Sequence, residues 1–327
     1  MRRLISWVVI LGLGHAILWV GTASLISAGA PKAVEKVAQQ GWQITYNTIE
    51  TSGYPARLNT QVQGPVVTSP DQSWTWQAPR LDMTFQSLQP NRVDVRLPAQ
   101  QTITVQGQVL NVTSDGLLTF AHTGLQASLP LQATGATVQS ATLASDQGWN
   151  LRTGPIDAQL TAKETGEAEY AVIIDANDIR LPRAWVRPLD PNRVLRRAAI
   201  ELHVQADLAF DAPLDRHNPE PVLRGLDLHM VQFAWGDVVI TSTGKLRIGR
   251  NGVPRGVITL TTADWQVLID LLSGTGVVPP RMARTLAGMA GALADDTGQL
   301  ALPLNFKDGF MSLGPLPLGP APRFPTG

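Results

Sequence analysis

The stretch Ile200–Phe210 constrains this chain most. Ile200, Leu202, Val204, Ala206, Leu208 and Phe210 are apolar, and Glu201, His203, Gln205 and Asp207 fill the gaps. Six successive matches to a period of two predict a strand with one greasy face and one wet face. At ~3.3 Å per residue its length is about 36 Å. The same alternation recurs at residues 42–46 (WQITY), 92–97 (RVDVRL), 102–109, 125–129 (LQASL), 156–160 and 170–176. Trp74 and Trp76 fall on one face. Leu226, Leu228 and Met230 continue the style, and the phase then slips to Val231, Phe233 and Trp235, which predicts a bulge near Met230. Val238–Ile248 and residues 255–260 add two strands. Leu300 to Phe306 and Phe310 to Leu313 flank Asp308-Gly309, a strong hairpin signal.

Helices are few. Residues 32–40 follow Pro31 and end at Gly41, which reads equally as a short stalk helix or a linker. A helical hairpin is expected over about 262–295: one helix opens at Thr262 or Ala263 and closes near Gly274. The second carries Met282, Leu286, Met289 and Leu293 on one stripe. Residues 182–197 hold Arg183, Arg187, Arg193, Arg196 and Arg197 with room for one short helix. This basic patch fits either anionic headgroups or pairing with Asp190 and Glu201.

The N-terminus has its own signature. Residues 4–26 contain no Asp, Glu, Lys or Arg, and as a helix they span the ~30 Å apolar core of a bilayer. Leu4, Trp7, Leu18, Trp19 and Ile26 belong to this run, and Arg2 and Arg3 precede it. Two cations on a short tail place that end in the cytoplasm and send the rest across. Ala28-Gly29-Ala30 also has the form of a signal-peptidase site, so cleavage after Ala30 is the rival reading. The expectation is a single-pass protein of the inner (cytoplasmic) membrane with its body in the periplasm. Three segments follow: residues 1–30 as tip and anchor, 31–41 as stalk, and 42–327 as a β-rich periplasmic domain.

The fold class expected is mainly β: one N-terminal transmembrane helix, then a large curved antiparallel sheet (trough, open barrel or sandwich) with a late helical hairpin. Charged residues make up 16% of the chain, below the ~25% of an average soluble domain. Beyond residue 30 there are 24 basic and 26 acidic residues, a net charge of −2. Nucleic acid therefore has no electrostatic footprint to bind.

Catalytic motifs are missing from the sequence. It has no Cys, so no thiolate nucleophile or disulfide framework. The histidines are His15, His122, His203, His217 and His229, without a metal-binding pair spacing. His203 and His229 fall at outward strand positions and, with Glu201 and Asp227, form the one conceivable metal set. Solvated strand residues are the plainer reading. Asn111-Val112-Thr113 matches a glycosylation triplet. No nucleophile elbow or phosphate loop occurs, so neither an enzyme nor a cofactor is implied.

Gly41-Trp42, Gly53-Tyr54-Pro55-Ala56-Arg57 and the Trp74/Trp76 strand carry a resemblance. The tail extends it with residues 306–309 (FKDG) and 313–322 (LGPLPLGPAP). Together these resemble the domain-of-unknown-function family twenty-one twenty-five, uncharacterised envelope proteins mostly of alphaproteobacteria. That resemblance implies no catalytic residues. In style the chain is also distantly similar to AsmA-like and TamB-like proteins, which implies phospholipid handling along an apolar groove.

Three functions follow as expectations. The first is a non-enzymatic protein that binds or transfers membrane phospholipid. Its groove would be lined by Val93, Val95, Ile103, Val105, Ile200, Leu202, Val204, Leu208, Phe210, Leu226 and Leu228. The second is a scaffold or accessory subunit with an envelope protein partner and a dry core. The third is an envelope-polymer hydrolase using the outward Glu201, Asp207 and Asp227.

Overall fold

A computed structural model describes residues 38, 41–53, 57–86, 89–164, 168–190, 195, 199–218, 220–274, 280–314 and 316–325. The apolar run at 4–26 and all of the stalk except Ala38 and Gly41 lie outside these. Among the described residues, no helix is long and apolar enough to cross a membrane. The chain is mainly β, built of large antiparallel sheets with three described helices. It divides into two compact units. Of the described residues, the first takes those up to 139 with 145–147 and 212–221; the second takes those in 140–144, 148–211 and 222 onward.

Unit 1 contains β1 (Gln43–Thr45), β2 (Thr48–Ser52), β3 (Arg57–Gln63), β4 (Val66–Thr68), β5 (Trp74–Gln77) and β6 (Arg80–Gln86). It continues with β7 (Gln89–Arg96), β8 (Gln100–Val105), β9 (Gln108–Ser114), β10 (Leu118–Thr123) and β11 (Leu131–Val138). β1-β4-β5-β8-β9 form one sheet and β2-β3-β6-β7-β10-β11 run side by side in another. Strands pass from sheet to sheet at corners, and Pro65, Pro79 and Pro98, which cannot extend the ladder, stand at three of them. At one, Gly64 donates its N–H to the Pro79 carbonyl at 2.9 Å and Ala78 to that of Pro65 at 3.1 Å. Leu81, Met83, Val93, Val95 and Ala121 are buried on one sheet and Leu110 on the other. Gln101 is buried too, but it accepts from the Trp76 indole at 2.9 Å and donates to the Pro98 carbonyl at 3.1 Å, so its amide is satisfied.

Unit 2 contains β12 (Ala141–Ser145) except its last residue, β13 (Asn150–Thr153), β14 (Ile156–Ala162), β15 (Glu169–Ile179) and α1 (Arg183–Leu189). Next come β16 (Ile200–Phe210), β17 (Leu223–Trp235), β18 (Val238–Ile248), β19 (Pro254–Thr262), α2 (Trp265–Gly274) and α3 (Pro280–Leu293). β20 (Leu300–Lys307), β21 (Phe310–Leu313) and β22 (Leu316–Pro320) close the chain. β14 to β22 are neighbours in chain order, an antiparallel meander. A Gly154-Pro155 corner separates β13 from β14, with Gly154 N–H on the Asn177 carbonyl at 3.0 Å. α2 and α3 touch each other, with Trp265 against Gly291, and α3 rests on β20. On the edge strand β22, Pro317 and Pro320 cannot donate ladder hydrogen bonds, which blunts strand addition.

Two expected strands are revised. Residues 125–129 form a loop, because the Gly124 N–H closes onto the Pro130 carbonyl at 2.7 Å and Leu129 adopts φ 50°. Residues 102–109 are two strands, β8 and β9, joined at Gln106 and Gly107 with φ 49° and 82°, the hand a two-residue hairpin requires. By contrast, the expected Asp308-Gly309 turn has φ 51° and 82° and joins β20 to β21. The expected slip in β17 is present: Leu228 faces Gly244 but Val231 faces Ser242.

Gly244 and Gly256 mark the tightest approach of β18 to β19. Their φ values are 145° and 142°, and an added Cβ would lie 2.2 Å from the Val257 carbonyl oxygen or 2.1 Å from that of Lys245. The obstacle is backbone and cannot rotate away. Gly256→Ala is expected to cost more than about 2 kcal/mol in urea unfolding, whereas the unobstructed Gly288→Ala in α3 should stabilise by roughly 0.5–1 kcal/mol.

Candidate functional site

Unit 2's meander keeps its apolar residues on one face through cross-strand register. One row runs Ala158, Ile174, Val204, Val231, Ser242, Leu260 and Leu302, each opposite the next. The row beside it runs Leu160, Val172, Ala206, Leu228, Gly244, Ile258, Leu304 and Leu313. Apart from buried Ala206, every residue in both rows is only half-buried. The ends of the strands differ. Ile200, Val238 and Leu300 are buried at one end, and Leu246, Ile248 and Phe306 at the other. The half-open rows thus form a band across the strands, framed by sealed side chains. At ~4.8 Å between strands, seven strands give it a length of about 30 Å. Gly244 and Ser242 leave its middle shallow.

The expected groove residues divide. Ile200, Leu202, Val204, Leu208, Phe210, Leu226 and Leu228 all belong to this face. Leu202 and Leu208 flank the band, Ile200 lies in its sealed frame, and Phe210 packs edge-on to Tyr170 with centroids 5.8 Å apart. Val93 and Val95 are instead 1% and 4% exposed inside unit 1, so they are core side chains and line no open surface there. Ile103 and Val105 are half-buried on β8. Leu4, Trp7, Leu18, Trp19 and Ile26 lie outside the described residues. Sequence reasoning did not include Ile174, Val231, Leu260 and Leu302, although each sits at an apolar position of an expected strand.

The opposite face of the meander is wet and charged. Asp207 and Asp227 face each other directly in register. Two like charges so placed repel, and two ammonium groups and an imidazole meet them. The Lys163 ammonium bonds Asp207, His229 Nε2 lies 2.9 Å from the same Asp207 oxygen, and Lys245 Nζ lies 2.7 Å from Asp227. The β17 bulge aims His229 at this cluster. Burial pushes the Asp207 carboxyl up, but the Lys163 and His229 hydrogen bonds outweigh it and hold the group below the usual carboxylate range. The Asp207 hydrogen bond in turn raises the Lys163 ammonium.

Asp207, Asp227 and His229 bring ligand atoms within 4.8 Å of one another, but the two ammonium groups already hold the oxygens a cation would use. His203 is not in this set. It pairs with Asp175, and Glu201 is exposed opposite Ala234. For hydrolysis, a general acid needs its carboxyl raised, whereas Asp207 is moved the other way. The cluster reads as charge compensation on a solvated sheet face.

The fold and the band define an antiparallel β protein with one incompletely covered apolar face. Over residues 19–322 the chain matches the family described as "Uncharacterized protein conserved in bacteria (DUF2125)", and it belongs to that family. No curated protein and no solved structure matches it.

Because the folded pKa of Asp207 is depressed, its pairing stabilises fully above the unfolded value of ~3.9 and is lost as pH falls through the lower folded value. Asp207→Asn should therefore flatten the dependence of Tm on pH below about pH 4 while leaving the slope between about pH 5 and 7 unchanged.

Proposed function

We propose that this protein is a membrane-anchored, non-enzymatic periplasmic protein that binds or passes phospholipid acyl chains along the apolar band of unit 2. The observation that carries the reading is the pair of register rows left half-buried between sealed ends. A soluble sheet pays in exposed apolar area for leaving such a face open, at roughly 25 cal/mol per Å². An acyl chain removes that cost. The band is about 30 Å long, and one bilayer leaflet contributes about half of a ~30 Å apolar core, so one extended chain fits within it. Its lining is aliphatic with few polar atoms, which suits a ligand recognised by greasiness rather than by hydrogen bonds.

The address belongs to the same proposal. The uncharged run at 4–26, preceded by Arg2 and Arg3, supports an inner-membrane tether with the β body outside the cytoplasm. Residues 31–41 would lead from it, and a curved trough with its late helices would hold the lipid. The likeness to AsmA-like and TamB-like proteins is consistent with this use of a sheet.

A photo-crosslinking amino acid in the full chain tests the idea in living cells. Placed at Val204 or Leu228, it should yield phospholipid adducts detectable by mass spectrometry. At the outward Gln205 and Thr243, adducts should be at least tenfold fewer. Equal labelling of both faces, or none at Val204 and Leu228, overturns the proposal. Val231→Asp, which sets a carboxylate in the band, should cut adducts at Val204 by about tenfold or more.

A further inference from the structure

The wet face of the meander ends differently near β18 to β22. There Arg247 stands directly opposite Arg255 in the β18–β19 pair. Gly256 faces Phe306, which sets Arg255 beside Lys307 on the next strand. Lys307 faces Phe310, and Phe310 faces Pro320. Arg250 sits in the β18–β19 turn, and the tail brings Arg323 to the same end, with Ala321 N–H on the Gly309 carbonyl at 2.7 Å and Phe324 N–H on that of Gly252 at 2.9 Å. Five cationic residues thus gather at one end of the sheet. The only carboxylate among the described residues of these turns is Asp308, 3.9 Å from Arg255. Like charges opposed on neighbouring strands repel. Farther along the face the opposed Asp207 and Asp227 each have a lysine partner, whereas among the described residues the opposed Arg247 and Arg255 have one ion pair between them, the long Arg255–Asp308 contact.

Apolar side chains are exposed among these cations. Phe310 is 64% exposed, Leu318 47% and Val257 42%. A solvent-facing aromatic ring among arginines and a lysine is costly in water and favourable where acyl chains meet anionic headgroups.

We infer that this end of unit 2 is a docking surface for an anionic phospholipid bilayer, with Phe310 entering the headgroup–acyl boundary and Arg247, Arg250, Arg255, Lys307 and Arg323 meeting phosphates. This goes beyond lipid binding in the band: it lies on the opposite face of the sheet and stands whether or not the band carries cargo. The occupant is a bilayer rather than a free acidic polymer, because an acidic polymer would use the cations and leave Phe310, Leu318 and Val257 in water.

The chain has no Cys, so Phe310→Cys gives a unique thiol for an environment-sensitive fluorophore. The labelled full chain is reconstituted into vesicles of phosphatidylcholine alone and into vesicles with one-third phosphatidylglycerol. The proposed tether at residues 4–26 would be common to both vesicle types, so the difference between them reports the patch. A blue shift and protection from an aqueous quencher are expected in the anionic vesicles alone. Label at Gln159→Cys, exposed on the same face five strands from β19, should respond to neither. Adding Arg247→Glu and Arg255→Glu should abolish the shift at 310, with unchanged far-UV circular dichroism reporting the fold. In 0.5 M salt the shift should fall at least severalfold. Identical spectra at 310 in both vesicle types, or an equal shift at 159, overturn the proposal. Crosslinking at Val204 is read separately, so either idea can fail alone.

Discussion

The hydrogen-bond register between β16 and β17 is what the rest of unit 2 depends on. Side chains alternate with a period of two, so a slip of one residue would exchange the greasy and wet faces of a whole strand. β17 begins with Leu226 and Leu228 inward and ends with Val231, Phe233 and Trp235 inward, which no regular strand can do. The bulge absorbs the odd residue: Gln205 faces Met230 while Ala206 faces Leu228. The extra residue, His229, goes to the wet side, where it reaches Asp207. One local irregularity therefore keeps the apolar face continuous and supplies Asp207 with a hydrogen-bond partner behind it.

That balance explains why acidic residues can sit opposite each other on adjacent strands. Asp207 and Asp227 would weaken the sheet if left alone. Lys163 from the end of the β14 strand and Lys245 from β18 each neutralise one of them. Around Arg247 and Arg255 compensation is thinner: among the described residues Asp308 pairs with Arg255 at 3.9 Å, although the strands there are equally well paired. Charge placement on this sheet is thus not uniform: Asp157 opposes Asp175 at one side of the meander and Arg247 opposes Arg255 at the end crossed by the tail.

Legibility varied with how strongly each segment marked its own ends. Ile200–Phe210 was readable to the residue because alternation runs its whole length, and Val238–Ile248 because Gly236-Asp237 and Gly249 bound it. The alternation at 125–129 was as clean but only five residues long, and the flanking Gly124 and Pro130 closed a loop around it. The turn at Gln106-Gly107 hid inside a longer alternating run because glycine does not interrupt a period of two. β11 (LQATGATV) offered little apolar contrast, as Thr, Ala and Gly occupy most of it. The opposition of Asp207 and Asp227 depended on which strands pair and in what register, which residues twenty apart do not announce. Separating His203 from His229 required the same information.

The sequence by itself determined the family, the mainly β class and the two-faced character of each long strand, because period, turn chemistry and motif are local properties of the chain. Tertiary structure decided the rest: that Val93 and Val95 are sealed while Val204 and Val231 are half-open, and that the chain divides into two units. Val93 and Val204 are the same residue type in equally regular alternation. Their difference lies in how many neighbours stand over each, and that is fixed only when distant segments pack.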